Sequence, residues 1–233
     1  MPYYYWDPTY ILVLIGALLS VGASALVNRT FNCYSSVYAR SGLTGAQAAQ
    51  KLLHSQGIYD VQIQHISGSL TDHYDPRNKT LSLSDAVYNA TTVAAIGVAA
   101  HECGHAMQHA KGYVPLSIRS ALVPVVNFGS YLSWPLIVIG LFINSSTGSL
   151  FLNAGLLLFS LVVLFQLVTL PVEINASRRA VRLLDQEHIL IGDEVGQTAR
   201  VLKAAALTYV ASAAASILQL LRLLILTGRR RDD

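Results

Sequence analysis

Residues 101–105 read His101-Glu102-Cys103-Gly104-His105. Side chains four apart on a helix share one face, so His101 and His105 can aim two imidazoles at one metal ion. Neutral imidazole nitrogen suits Zn²⁺, and a catalytic zinc takes three protein ligands and keeps one position for water. Glu102, between the histidines, stands where a general base for that water would stand. Cys103 points about 200° away from His101 around the helix, which disfavours it as a ligand. Residues 93–100 are all apolar, so the helix expected over 91–110 is buried. Two histidines and a carboxylate on a buried helix need partners. The bland alternative is a pair of hydrogen-bonded core histidines.

A third ligand has to come from elsewhere in the chain. Residues 120–172 contain no Asp, Glu, Lys or Arg. That is enough for two membrane crossings of about 20 residues each, with a polar turn at 144–148. An even number of crossings returns the chain to the side it left. Glu173, the next charge, therefore emerges beside His101 and His105, at a helix start expected behind Pro171. It is the candidate third ligand, for one zinc ion per chain; its bland reading is a membrane-flanking charge balancing Arg178 and Arg179. A hydrolytic site also needs a donor for the developing oxyanion. His73, Tyr74, His188 and Tyr209 are the candidates. His109 lies one turn past His105 and reads as a neighbour of the site or a surface group.

These residues need elements to position them, and composition limits which. The 233 residues are 53% hydrophobic and 12% charged, against about 25% charged in soluble domains. The chain reads as a mainly α integral membrane protein with three to four transmembrane helices and a small β-hairpin or sheet beside the zinc helix. The net charge of +3 is modest, and the arginines flank apolar stretches, which argues against a nucleic-acid partner. Cys33 and Cys103 are not expected to pair, which fits a reducing compartment.

The expected organisation follows the chain. Residues 1–28 form an N-terminal transmembrane helix behind an aromatic belt at Tyr3, Tyr4, Tyr5 and Trp6; the apolar run is too long, and lacks the basic start, for a signal peptide. Residues 29–116 form the catalytic region. It holds a helix over 46–55 with Ala49, Leu52 and Leu53 on its apolar face, and strands over 61–66 and 79–83. The loop 68–78 is either an ordinary turn or a strand edge to which an extended peptide could add. Residues 117–172 are the transmembrane hairpin, where Trp134 and Pro135 kink or anchor the first helix. Residues 173–203 form the helix with the third ligand. Residues 204–228 are a fourth span or a packed helix, and 229–233 a disordered tail. Arg29, Arg40, Lys111, Arg119, Arg178, Arg179 and Arg182 flank the spans on the site's side, so the positive-inside rule turns the site to the cytoplasm of a bacterial inner membrane. Arg229, Arg230 and Arg231 oppose this if 204–228 crosses, and favour the packed or re-entrant reading.

The run 98–109, Val-Ala-Ala-His-Glu-Cys-Gly-His-Ala-Met-Gln-His, resembles the membrane-bound neutral zinc metallopeptidase family, the YugP-like proteins of bacteria. So do Leu70 to Pro76, Glu173 to Ala180 and Ala204 to Val210, four motifs in order over nearly the whole chain. A more distant similarity is to the HtpX and CAAX-protease type of gluzincin. There the third ligand is the glutamate of an ExxxD motif. Glu173 matches it, whereas Ser177 stands where those proteins have the aspartate that orients a zinc histidine. The resemblance implies proteolysis and defines no substrate.

Residues and resemblance together lead to a membrane-embedded zinc endopeptidase acting on membrane or unfolded proteins near the bilayer. A zinc-stabilised scaffold that binds partners without turnover is the rival, and it has no use for Glu102. A transporter would carry charges inside its spans, which residues 9–27 and 120–172 lack. Zinc hydrolysis of a non-peptide amide or ester shares the same chemistry. The peptide substrate and the lipid bilayer are the expected partners, with room for a membrane-protein partner or a homo-oligomer.

Overall fold

The computed structural model describes residues 7–143 and 145–232, with side chains described through residue 228. The aromatic belt expected at Tyr3 to Trp6, the Asn144 end of the polar turn and the side chains of the 229–233 tail lie outside the described residues. The elements run α1 (Tyr10–Tyr34), α2 (Gly45–Ser55), β1 (Gln62–Ile66), β2 (His73–Asp75), β3 (Thr80–Ser84), α3 (Val93–Ala110), α4 (Val114–Phe142), α5 (Ser146–Gln186) and α6 (Asp193–Asp232). About 72% of the described residues are helical. The chain divides into two units, one of residues 24–117 and 170–207 and the other of residues 1–23, 118–169 and 208–233.

The first unit is built on α3. Its N-terminus is capped by Thr92, whose hydroxyl accepts from the Ala95 N–H, so a donor the helix leaves unpaired is satisfied. Beyond Lys111 the chain turns away through Gly112, at φ +60°. Helix α2 opens with a reciprocal cap, the Thr44 side chain accepting from Gln47 N and the Gln47 side chain from Thr44 N. Its apolar face, Ala48, Ala49, Leu52 and Leu53, is fully buried in one core with Ile96, Ala100, Cys103 and Met107 of α3. Each such leucine contributes about 1.5–3 kcal/mol of burial. Leu81 and Leu83 of β3 close the other side.

The sheet order is β1-β3-β2. Strands β1 and β3 pair in parallel, with Gln62 opposite Thr80, and β2 pairs antiparallel to β3, with Tyr74 opposite Leu81. The loop 68–78 thus holds a third strand. Asp72 pins it by accepting from the Ser84 N–H at 2.8 Å and the Ser84 hydroxyl at 3.0 Å. Asp85 pins its start by accepting from Gly68 N at 2.9 Å.

In the second unit α1 and α6 run antiparallel. A Cβ at Gly16 would lie 3.0 Å from Ala215 Cα. Asp7 meets Arg222 at 3.7 Å, and the Arg222 guanidinium sits 4.2 Å from the Tyr10 ring centroid. Ile137 of α4 packs with Leu152, Leu156, Phe159 and Val163 of α5 and Leu223 of α6. Helices α1, α4, α5 and α6 are each long and apolar enough to cross a membrane. Their large apolar side chains are widely exposed, Leu18, Val21, Phe128, Leu150 and Leu157 among them, as a lipid-facing surface requires.

Two expectations change. Glu173 does not begin a helix behind Pro171. Helix α5 runs unbroken from Ser146 to Gln186 with Pro171 inside it; proline forfeits its N–H bond and crowds the carbonyl one turn back, and a long packed apolar helix tolerates both. Pro124 and Pro135 are likewise carried inside α4. Residues 204–228 are also no separate helix, but the later part of α6, whose helix assignment reaches Asp232. The first turns of α6 meet α3, where Thr198 Oγ1 donates to the Val93 carbonyl at 3.2 Å.

Candidate metal centre

Helices α3 and α5 are brought together by two small residues. A Cβ on Gly104 would meet the Ala176 carbonyl oxygen at 2.6 Å and its Cα at 3.0 Å. Only glycine permits that approach. It sets His105, the next residue on α3, against Glu173, one turn before Ala176 on α5.

One Glu173 oxygen lies 3.2 Å from His101 Nε2 and 3.4 Å from His105 Nε2. The imidazoles stand edge to face, centroids 4.8 Å apart at 85°. The three candidate ligand atoms all lie within 4.8 Å of one another. Ligand atoms around a tetrahedral ion with N and O bonds near 2.0–2.1 Å are separated by about 3.3 Å, which is the spacing of Glu173 from each histidine. Glu173 is 1% exposed, and a buried carboxylate oxygen beside two imidazole nitrogens is a donor set that suits a cation. Geometry and charge therefore fit zinc. Burial pushes the His105 pKa down; the hydrogen bond to Glu173 and the nearby Glu102 carboxylate pull it up more, and it ends raised. Glu102 is itself buried, at 8% exposed.

Behind the candidate ligands lies a hydrogen-bonded layer that sequence reading did not find. Ser177 Oγ is 3.1 Å from His101 Nδ1, so a hydroxyl occupies the place expected to lack a carboxylate partner. His105 Nδ1 lies 3.1 Å from Gln108 Oε1. Gln108 Nε2 donates to the Val172 carbonyl at 2.8 Å and to Asn175 Oδ1 at 3.1 Å. Arg179 Nε donates to the same Asn175 oxygen at 2.7 Å and stacks its guanidinium 5.8 Å from the Tyr113 centroid. The available signal was spacing: Gln108 follows His105 by three, and Ser177 and Arg179 follow Glu173 and Asn175 by four.

Of the other candidates, His73 and His188 are not part of the cluster of His101, His105 and Glu173. His73 is exposed on β2, its Nδ1 2.9 Å from the Thr71 carbonyl. Tyr74, also on β2, places its hydroxyl 2.9 Å from His109 Nδ1, tying the sheet edge to α3. Burial first, then Asp60 and Asp75, pushes the Tyr74 pKa up to about 12. His188 is exposed in the turn after α5, at φ +49°. Tyr209 lies on α6 in the other unit, 38% exposed. Cys103 turns to α2, its thiol 3.6 Å from the Ala49 carbonyl.

Residues 9–228 match the family described as "Putative neutral zinc metallopeptidase". The chain is 44% identical over 226 residues to "Putative membrane protease YugP" of Bacillus subtilis (strain 168), covering 96% of this chain and 99% of that protein. No solved structure matches. A family match over nearly the whole length and a full-length relative, joined to this His-His-Glu cluster, mean that the chain belongs to the neutral zinc metallopeptidase family.

Proposed function

We propose that the chain is a membrane-embedded zinc endopeptidase of gluzincin type, with His101, His105 and Glu173 holding one zinc ion and Glu102 as general base. The observation that carries the reading is the buried Glu173 oxygen, 3.2 Å and 3.4 Å from two imidazole nitrogens on another helix. When bound there, zinc supplies Lewis acidity, polarising a scissile carbonyl and making water easier to deprotonate. Glu102 accepts the proton of the attacking water and returns it to the leaving amine. His101 and His105 stay neutral, each Nδ1 held by a side-chain oxygen, so that each Nε2 lone pair faces inward.

The substrate-binding reading rests on β2. It is an edge strand, and its Tyr74 bonds to α3 one turn beyond His105. An extended peptide adds along that edge, with His73 and Tyr74 as candidate donors toward its carbonyls. His188, exposed in the turn after α5, ranks below them, and Tyr209 stays a candidate donor. The apolar run of α5 ends at Val172, immediately before Glu173, so the substrates proposed are membrane proteins or unfolded segments close to the bilayer. Residues 29–116 and 173–203 form the catalytic part in this reading, and 1–28, 117–172 and 204–228 the membrane part. Arg29, Arg40, Lys111, Arg119, Arg178, Arg179 and Arg182 favour a site on the cytoplasmic face of a bacterial inner membrane.

The test compares the purified chain with Glu102→Gln in detergent, measuring bound zinc and cleavage of casein with and without a chelator. Zinc in both and chelator-sensitive cleavage only in the unmutated protein is the expected result. Equal zinc with equal cleavage would remove Glu102 from its role, and zinc binding without turnover by either would favour the scaffold.

A further inference from the structure

Hydrogen-bond polarity runs in one direction through the layer behind the ligands, a property that neither the family match nor the ligand set contains. We infer that Arg179, which touches no candidate ligand, reinforces the tautomer of His105 through Asn175 and Gln108, alongside the Val172 carbonyl, and so acts as a positioning residue for the zinc site. The inference rests on the reading of His105 as a zinc ligand.

Two groups in the layer have a polarity that cannot change. A guanidinium only donates, and a backbone carbonyl only accepts. Arg179 Nε faces Asn175 at 2.7 Å, so the Asn175 atom there must be the oxygen. That oxygen and the Val172 carbonyl both face one end of the Gln108 amide, at 3.1 Å and 2.8 Å. Two acceptors select the NH₂ end, which turns the Gln108 carbonyl oxygen toward His105 Nδ1, 3.1 Å away. An acceptor there requires a proton on Nδ1. In the neutral ring the lone pair then sits on Nε2, the nitrogen 3.4 Å from the Glu173 oxygen. Reversing any link would set donor against donor or acceptor against acceptor. Gln108 is fully buried, so no water can repair the mismatch.

The relay also has a consequence for charge. His105 is oriented by a neutral amide and His101 by the Ser177 hydroxyl. Carboxylate partners, the usual arrangement, would add negative charge behind the ring. Here the one positive group of the layer, Arg179, is three hydrogen bonds from His105.

The experiment exploits the difference between Asp and Leu at position 175. Both have Asn's branching and its number of side-chain heavy atoms. Asp accepts from Arg179 and from Gln108 and keeps the polarity; Leu cuts Arg179 off and leaves the Val172 carbonyl as the one acceptor holding the Gln108 amide. Zinc affinity is measured by competition with a chromophoric chelator, and site geometry from the visible absorption of the cobalt(II) form, both in detergent. Asn175→Asp is expected to keep zinc affinity within about threefold, and Asn175→Leu to lose about 10–100-fold, the range for groups that orient a metal histidine. Arg179→Lys keeps a donor and Arg179→Met does not, so the same contrast is expected at position 179, in a pair that leaves the α3–α5 contact untouched. A cobalt spectrum altered in Asn175→Leu and Arg179→Met, and unaltered in Asn175→Asp and Arg179→Lys, supports the inference. If Asn175→Leu and Arg179→Met bind zinc as tightly as the unmutated chain, with an unchanged cobalt spectrum, the inference is overturned while the ligand reading stands. An unmutated chain that binds no zinc overturns both.

Discussion

Gly104→Ala puts the whole arrangement under load at one point. The added methyl carbon would lie 2.6 Å from the Ala176 carbonyl oxygen, 3.0 Å from its Cα and 3.1 Å from its carbonyl carbon. All three are backbone atoms, so no side chain can swing aside. Relief requires α3 and α5 to part by about 0.8 Å before ordinary contact is restored. Those helices carry His105 and Glu173, and a metal constellation tolerates a misplacement of only about 0.5 Å. Zinc affinity should therefore fall by about two orders of magnitude, the scale of loss when reacting groups shift by about 1 Å. Stability measured in chelator should change far less. Overpacking costs about 1–3 kcal/mol, and alanine for glycine inside a helix returns about 0.5–1 kcal/mol. Gly196→Ala is the control: it lies on α6, where an added methyl meets nothing within 4 Å, and should gain stability without altering zinc binding. Competition titration with a chelator and denaturant unfolding provide the two readouts. Gly104→Ala with unmutated zinc affinity would refute the claim that this contact sets the ligand spacing.

Other expectations concern the same unit. Ser177→Ala should loosen zinc by about tenfold, and Ser177→Asp should tighten it by giving His101 Nδ1 a charged acceptor, read by the same competition. Because the His105 pKa is raised in the metal-free protein, protons should begin to displace zinc above the ordinary imidazole value of about 6.5. The sign for stability is the reverse: a raised folded pKa favours the metal-free fold at low pH, and that contribution is lost as pH rises through it, as melting temperatures over pH 5–9 in chelator would register. A maleimide should label Cys33, which is exposed, while Cys103, whose pKa is pushed up by burial and then by Glu102, should react only after denaturation. Tyr74→Phe removes the hydroxyl at His109; if β2 is the substrate edge, KM for a peptide should rise with zinc affinity unchanged.

What the sequence made legible was local. A four-residue histidine spacing, a charge-free run of two spans and the alternation of residues 61–66 each show in a few consecutive residues. The buried face of α2 is of the same kind. Strand β2 has only three residues, too few for alternation to register, and the parallel pairing of β1 with β3 depends on a loop path fixed by Asp72 and Asp85. Glu173 was reachable from topology alone, because counting crossings gives a side of the membrane. The same counting misplaced it at a helix start, because proline was read as a break in an apolar helix that absorbs it.

The least legible part is the polar layer, and the reason is geometric. Gln108 and Asn175 are 67 positions apart, and neither residue type announces a partner. Their contact exists because Gly104 lets the Ala176 backbone approach closely, which fixes the register of α3 against α5. Once that register is set, each polar group on the two facing helices must find a complement or bear the cost of burial unpaired. The His101–His105–Glu173 cluster and the amide relay are thus two outcomes of one helix–helix contact. Substitutions at the contact should disturb both together, while substitutions in the relay should change zinc binding and leave the helix packing intact.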